Sequence, residues 1–246
     1  MKTLQGKRAL VTGGSRGIGA AIARVLAEHG ADVALTYQNA ADRAQAVVAS
    51  IKEYGQKGIA IQADSADPAA VKRSVDEAVA GLGGLDILVN NAGIARYNLI
   101  ADFSVEDIDA LFAVNVRGTL LATQAAIPHL TQGGRVITIG SAGADRIVGT
   151  PGTVYFMTKS ALQSFARGLA HELGGRDITS NLVQPGSTDT DMNPANGESA
   201  DFQRGLMPLG RFAEPQDIAA TVAYLASPAA RHITGTVITV DGGALA

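Results

Sequence analysis

The 246-residue chain has no cysteine and no tryptophan, and only 4% of its residues are aromatic. Without cysteine there can be no disulfide and no thiolate metal site, and the four histidines, His29, His129, His171 and His232, show no metal-ligand spacing and read as surface residues. No apolar run approaches the roughly 20 residues that a membrane-crossing helix needs. The start Met1-Lys2-Thr3 leads straight into a strand instead of a signal-peptide apolar stretch, so a cytoplasmic protein is expected. Neither sign of charge dominates: 20 Lys and Arg stand against 23 Asp and Glu, a formal net charge of -3. With the basic residues scattered, there is no electrostatic footprint for nucleic acid and no polybasic stripe for a membrane surface.

What the chain does have is 46% hydrophobic residues and 29 glycines, the composition of a globular protein rich in tight turns. Seven short runs, "RALVT", "DVALTY", "GIAIQAD", "LDILVNNAG", "GRVITIGS", "ITSNLVQPG" and "GTVITVDGG", are separated by stretches of helical length. Strands that are apolar without alternation are buried on both faces, and strands regularly separated by helices build a parallel sheet through right-handed crossovers. The expected fold class is therefore α/β: a doubly wound, parallel seven-stranded sheet in a three-layer sandwich. Helix starts are marked at Asp67-Pro68, at Ser104 with Asp107, and at Glu214-Pro215. No linker interrupts the alternation, so residues 1–246 read as one domain. The exception is 187–212, where Pro, Gly and Asn break any periodicity; a loop of that length is expected to be a lid.

The stretch "TGGSRGIG", residues 12–19, follows the first strand and opens a helix. Such a turn aims backbone N–H groups and the positive end of the helix dipole at one spot, which suits a phosphate. Gly13 supplies the turn, Gly17 admits a pyrophosphate, and Gly19 lets the helix pack closely. The spacing departs from the common G-x-G-x-x-G pattern.

Written as Thr12-Gly13-x-x-x-Gly17-x-Gly19, the stretch resembles the cofactor motif of the short-chain dehydrogenase/reductases. Over essentially the whole chain the other pieces of that family's pattern follow in order: "NNAG" at 90–93, Asn115 in "AVNVRG", Ser141 after the fifth strand, Tyr155-x-x-x-Lys159, and "PGSTDT" at 185–190. Ser141 lies 14 residues before Tyr155 where the family serine most often lies 13 before, a departure that one extra residue in "SAGADRIVGTPGTVY" absorbs.

The resemblance implies a Rossmann-type oxidoreductase that moves a hydride between NADPH/NADP+ and a carbonyl or secondary alcohol. It implies that Tyr155 is the general acid or base, that Lys159 lowers the Tyr155 pKa and binds the nicotinamide ribose, and that Ser141 steadies the carbonyl oxygen. Asn115 would offer a backbone carbonyl to a water relay reaching Lys159. The implied cofactor contacts are Gly13, Ser15, Arg16, Gly17, Ile18 and Gly19 in the loop, Tyr37 and Gln38 after the second strand, and Asp64 and Ser65 after the third. Asn91, Ala92 and Gly93, then Tyr155, Lys159, Pro185, Gly186, Thr188 and Thr190, complete the set. Asn90 has a structural role, and Asp64 fits a helix N-cap as well as a partner for adenine. Positions 155 and 159 are four apart, so both side chains project from one helix face, where an ammonium favours the phenolate.

For the cofactor, an NAD-preferring enzyme places an acid about 20 residues beyond the glycine motif. Here Thr36 takes that position, positions 37–39 carry no acid, and Asp32 lies at the wrong end of its strand. Arg16, with Arg43 nearby, suits a 2′-phosphate. The favoured substrate is a small or medium ketone, with a 3-oxoacyl thioester as the alternative and a non-catalytic dinucleotide-binding regulator as the reading from another class. Family members commonly form homotetramers, and the Ala-rich helices around Asn115 and Tyr155 fit that assembly.

Overall fold

The computed structural model describes residues 2–147 and 151–246. Seven strands, β1 (Arg8–Val11), β2 (Asp32–Tyr37), β3 (Gly58–Gln62), β4 (Leu85–Asn90), β5 (Leu130–Ile139), β6 (Thr179–Pro185) and β7 (Val237–Val240), form one sheet in the order β3-β2-β1-β4-β5-β6-β7. Every pairing is parallel, with Ala9 in register with Val33 on one side and Ile87 on the other. Each strand found corresponds to one of the seven apolar runs, and the α/β sandwich expected from them is the fold of the chain.

The helices are α1 (Gly17–Glu28), α2 (Ala41–Glu53), α3 (Pro68–Leu82), α4 (Val105–Phe112), α5 (Thr119–Ala126), α6 (Thr153–Leu173), α7 (Ala200–Leu206) and α8 (Pro215–Ala226). Their starts follow from local chemistry. Asp67 caps α3 by accepting from the Ala69 N–H at 2.9 Å, with Pro68 in the first turn where no N–H is needed. Ser104 accepts from the Asp107 N–H at 3.0 Å, and the Asp217 carboxylate accepts from the Glu214 N–H at 2.8 Å.

The sheet buries both faces. Ala9, Val11, Ile87 and Val89 pack with Ile22 and Leu26 of α1, Val47 and Ile51 of α2, and Ile218 and Val222 of α8. Leu10, Leu88 and Val136 face the other way, against Val75 and Ala78 of α3, Ala126 of α5, and Leu169 and Leu173 of α6. Each such side chain, once buried, contributes about 1.5–3 kcal/mol, so neighbouring residues of one strand serve two cores. Because β1 is flanked by β2 on one side and β4 on the other, successive crossovers leave in opposite directions at its carboxyl end and open a crevice there.

Two elements differ from the sequence reading. The helix that starts after Ser104, expected to run on around Asn115, stops at Phe112 and widens into a π-helical turn, Ala113–Gly118, before α5. The backbone at Gly118, the last residue of this turn, passes so close to Ser65, three residues past β3, that a Cβ there would lie 2.5 Å from the Ser65 carbonyl oxygen. Segment 187–212 is not loop throughout: α7 forms inside it, with Ala200, Met207 and Phe212 clustered beneath.

Candidate active site

Every residue in the implied cofactor set, from Gly13 to Thr190, lines a single cleft of about 970 Å³ at the carboxyl ends of the strands. Ser141, Tyr155 and Lys159 line it too, whereas Asn115 stands behind its wall.

The glycine loop is a cradle held by hydrogen bonds from below. Gly13 has a left-handed φ of 64°, and a Cβ on it would come within 2.9 Å of the Ala92 Cα. At Gly19 the space is tighter, for a Cβ would lie 2.3 Å from the Gly13 carbonyl oxygen and 2.4 Å from Asn91 Nδ2. The Thr12 hydroxyl accepts from the N–H groups of both Asn91 and Ala92 at 3.0 Å, and Asn91 Nδ2 donates to the Thr12 and Gly13 carbonyls at 3.0 Å each. Asn91 thus lines the cleft while its amide braces the loop. Asn90, as expected, is structural and donates to the Thr123 hydroxyl at 2.9 Å. At the start of α1 no side chain caps the helix, so its first N–H groups are left to face the cleft. An uncapped helix end behind a loop with no room for side chains fits the pyrophosphate of a dinucleotide.

Around this cradle, some implied positions face the cleft and others make contacts of a different kind. Thr36 is buried, and its hydroxyl accepts from the Gly13 N–H at 2.9 Å. It therefore points under the loop, not toward a ribose. Tyr37 packs partly on the core, while Gln38 is exposed at the cleft and takes the outward position. Asp64 is no helix cap: it accepts from the Ala66 N–H at 2.8 Å in a local turn, and the cap belongs to Asp67. Thr188 donates to the Gly186 carbonyl at 3.1 Å, which turns the chain as it leaves β6. His29 and His129 are half-buried instead of lying on the open surface.

On the catalytic side, Tyr155 and Lys159 rise from the first turns of α6. Lys159 is buried, and its ammonium donates to the Ile139 carbonyl at 3.1 Å. Burial disfavours its charge and pulls its pKa down to about 8. A Cβ on Gly93 would lie 3.3 Å from Lys159 Nζ and 3.4 Å from Asn115 Oδ1, so the glycine of "NNAG" makes room for both. The expectation that Lys159 lowers the Tyr155 pKa is corrected here. Burial dominates and pushes the phenol well above its ordinary range, the nearby Tyr97 adds to the rise, and the Ser141 side chain lowers it only in part. Ser141 follows β5 and also accepts from the Gly143 N–H at 3.3 Å. The lengthened stretch between Ser141 and Tyr155 runs through 148–150, outside the described residues.

Asn115 sits in the π-helical turn instead of a regular helix. Its side chain accepts from the Ile94 N–H at 2.9 Å and donates to the Ile94 carbonyl and the Thr158 hydroxyl at 3.0 Å each. Its carbonyl already accepts from the Thr119 hydroxyl at 3.1 Å. One lone pair of that carbonyl is thus used within the helix.

Sequence reasoning missed the aromatic corner over Tyr155. Tyr97 meets the Tyr155 ring edge to face with centroids 5.6 Å apart, and Phe156, 5.1 Å from Tyr155 and 6.5 Å from Tyr97, closes a triangle of rings. Met192, Phe202 and Leu206, from segment 187–212, line the same cleft. Only Phe156 carried a signal, its place beside Tyr155 on a helix; Tyr97 lies in an aperiodic loop and is brought over the tyrosine by the fold.

Among known proteins, residues 13–244 match the family model described as Enoyl-(Acyl carrier protein) reductase. A short chain dehydrogenase from Burkholderia cenocepacia J2315, solved in complex with NADP, is 55% identical with a TM-score of 0.98, over 99% of this chain and 100% of that one. A blue fluorescent protein from a metagenomic library, solved in complex with NADPH, is 47% identical with a TM-score of 0.97, again over 99% and 100%. Versicolorin reductase from Emericella nidulans is 42% identical over 98% of this chain and 96% of its own. Likeness that runs unbroken from the glycine cradle past the tyrosine helix to the last strand is likeness of the whole fold: the chain belongs to the short-chain dehydrogenase/reductase family.

Proposed function

We propose that the protein is an NADP(H)-dependent reductase of ketones, running in reverse as a secondary-alcohol dehydrogenase. The observation that carries this reading is that an uncapped, glycine-lined helix end and the Ser141-Tyr155-Lys159 group open onto one cleft. Two relatives named above were solved with NADP or NADPH, and a third is named as a reductase.

The glycine loop and α1 would hold the pyrophosphate, Lys159 the nicotinamide ribose, and Arg16 with Arg43 the 2′-phosphate. When bound, the nicotinamide supplies the hydride, and the protein positions and polarises. Tyr155, neutral at physiological pH as any phenol is and made harder still to ionise by burial, gives its proton to the carbonyl oxygen. Ser141 donates a hydrogen bond to the same oxygen and fixes it against the phenol. The Lys159 ammonium stabilises the tyrosine anion that forms. The aromatic corner of Tyr97 and Phe156 packs on the Tyr155 ring and fixes its orientation for the proton transfer.

The assay is absorbance loss of NADPH or NADH against a panel of ketones, aldehydes and 3-oxoacyl thioesters. Turnover of ketones with NADPH is the expected result. Faster turnover of the thioesters supports the alternative substrate, and cofactor binding without turnover of any panel member supports a regulator.

Residues 1–246 act as one domain in this reading, and 187–212 is a substrate lid that orders over cofactor and substrate. Its support is the placement of Met192, Phe202 and Leu206 at the cleft on a segment with few buried contacts. Hydrogen exchange checks it, since equal protection of 187–212 with and without cofactor removes the lid. A homotetramer is supported by exposed Val105, Phe112, Leu120 and Met157 on α4, α5 and α6, and light scattering tests it. No described helix is long and apolar enough to cross a membrane, and a cytoplasmic location is checked by cell fractionation.

A further inference from the structure

Arg16 and Arg43 come from different parts of the chain, the glycine loop and α2, yet both reach one carboxylate, that of Asp191. Arg16 Nη1 lies 3.6 Å from Asp191 Oδ2, and Arg43 Nη1 donates to the same oxygen. Asp191 belongs to neither element. It stands in a tight turn of the segment after β6, closed by the Thr190 N–H donating to the Asn193 carbonyl at 3.3 Å and the Asn193 N–H donating back at 3.0 Å. That turn rests on the glycine loop, where a Cβ on Gly17 would lie 3.4 Å from the Thr190 methyl. All three charged side chains line the cleft and are about half exposed.

We infer that Asp191 is a cofactor-specificity residue that works by competition: its carboxylate holds the two arginines that a 2′-phosphate must take. The inference rests on the proposed use of NADP(H). A guanidinium fork recognises a carboxylate and a phosphate by the same planar pair of donors, so one oxygen shared by two arginines is a stand-in for a phosphate oxygen. A ligand carrying the 2′-phosphate has the charge to displace Asp191 and gain both cations. A ligand with only ribose hydroxyls has no charge to offer them, and Asp191 stays. Asp191 thereby lowers the affinity for the phosphorylated ligand.

The probes are 2′,5′-ADP and 5′-AMP, which differ only in the 2′-phosphate, titrated calorimetrically into the wild type, Asp191→Asn and Arg16→Ala. Asp191→Asn is expected to bind 2′,5′-ADP roughly two- to tenfold more tightly, the range set by two exposed ion pairs, and 5′-AMP unchanged. The gain should shrink in high salt. Unchanged or weaker binding of 2′,5′-ADP by Asp191→Asn overturns the inference, as does an equal change for both ligands, which would make Asp191 a general anchor of the turn. If the wild type binds 5′-AMP as tightly as 2′,5′-ADP, and Arg16→Ala weakens neither, the NADP(H) reading itself has failed. A wild type that prefers 2′,5′-ADP beside an Asp191→Asn that binds it no better leaves that reading intact and removes only the competition.

Discussion

Replacing Thr12 by valine tests the brace beneath the glycine cradle. The hydroxyl is buried, accepts from the Asn91 and Ala92 N–H groups at 3.0 Å each, and donates to the Val89 carbonyl at 3.4 Å. Valine keeps the shape and removes the acceptor, so two backbone donors lose their partner at once. An unsatisfied buried donor costs about 1–3 kcal/mol, which gives roughly 2–6 for the pair. Asn91 and Ala92 are only partly buried, so water recovers some of that, and about 2–4 kcal/mol is expected. For a chain of this length each kcal/mol moves the thermal midpoint about 2–4 °C, so Thr12→Val should melt about 4–16 °C lower. Thr12→Ser keeps the hydroxyl and should lose no more than about 1 kcal/mol. Circular dichroism melts at one protein concentration measure both, and the KM for NADPH in Thr12→Val should rise because Asn91 and Gly13 lose their alignment. A Thr12→Val melt within about 2 °C of wild type, or a Thr12→Ser melt as low as that of Thr12→Val, would refute the reasoning.

Tyr155→Phe removes the proton donor and keeps the ring, so turnover should be lost while NADPH affinity stays within a few fold; retention of about a tenth of the wild-type rate contradicts the assignment. The Lys159 pKa is lowered to about 8, so its ammonium is present below that pH and lost above it. The reduction rate should therefore fall as pH rises through about 8, and Lys159→Arg should move that limb upward; a wild-type profile flat to high pH counts against the ammonium's role. Gln38→Asp, which puts a carboxylate at the outward position after β2, should cost NADPH about tenfold or more relative to NADH. Thr36→Asp should instead destabilise the fold, because Thr36 is buried against Gly13; a soluble Thr36→Asp variant with reversed preference would show that the outward position is misassigned.

The seven strands and their helix starts were legible in the sequence because each is a local matter: a strand buried on both faces must be apolar throughout, and a helix start needs a cap within three residues. The glycine loop and the Tyr155-Lys159 pair were legible for the same reason, since a turn and a four-residue helical spacing are short-range geometry. Which way a side chain points at the end of a strand is not. Thr36 and Gln38 differ by two residues, and only the packing of β2 beside the loop sends the threonine under Gly13 and leaves the glutamine at the cleft. The direction of the Tyr155 pKa was likewise beyond the sequence, where the lysine four residues on is plain to see but the burial that outweighs it is not. The arrangements assembled from distant segments belong wholly to the tertiary structure: Tyr97 over Tyr155 across 58 positions of chain, and Asp191 between Arg16 and Arg43. Sequence determines the elements because their energetics are local, whereas contacts between loops are decided only when the sheet has brought the carboxyl ends of its strands together.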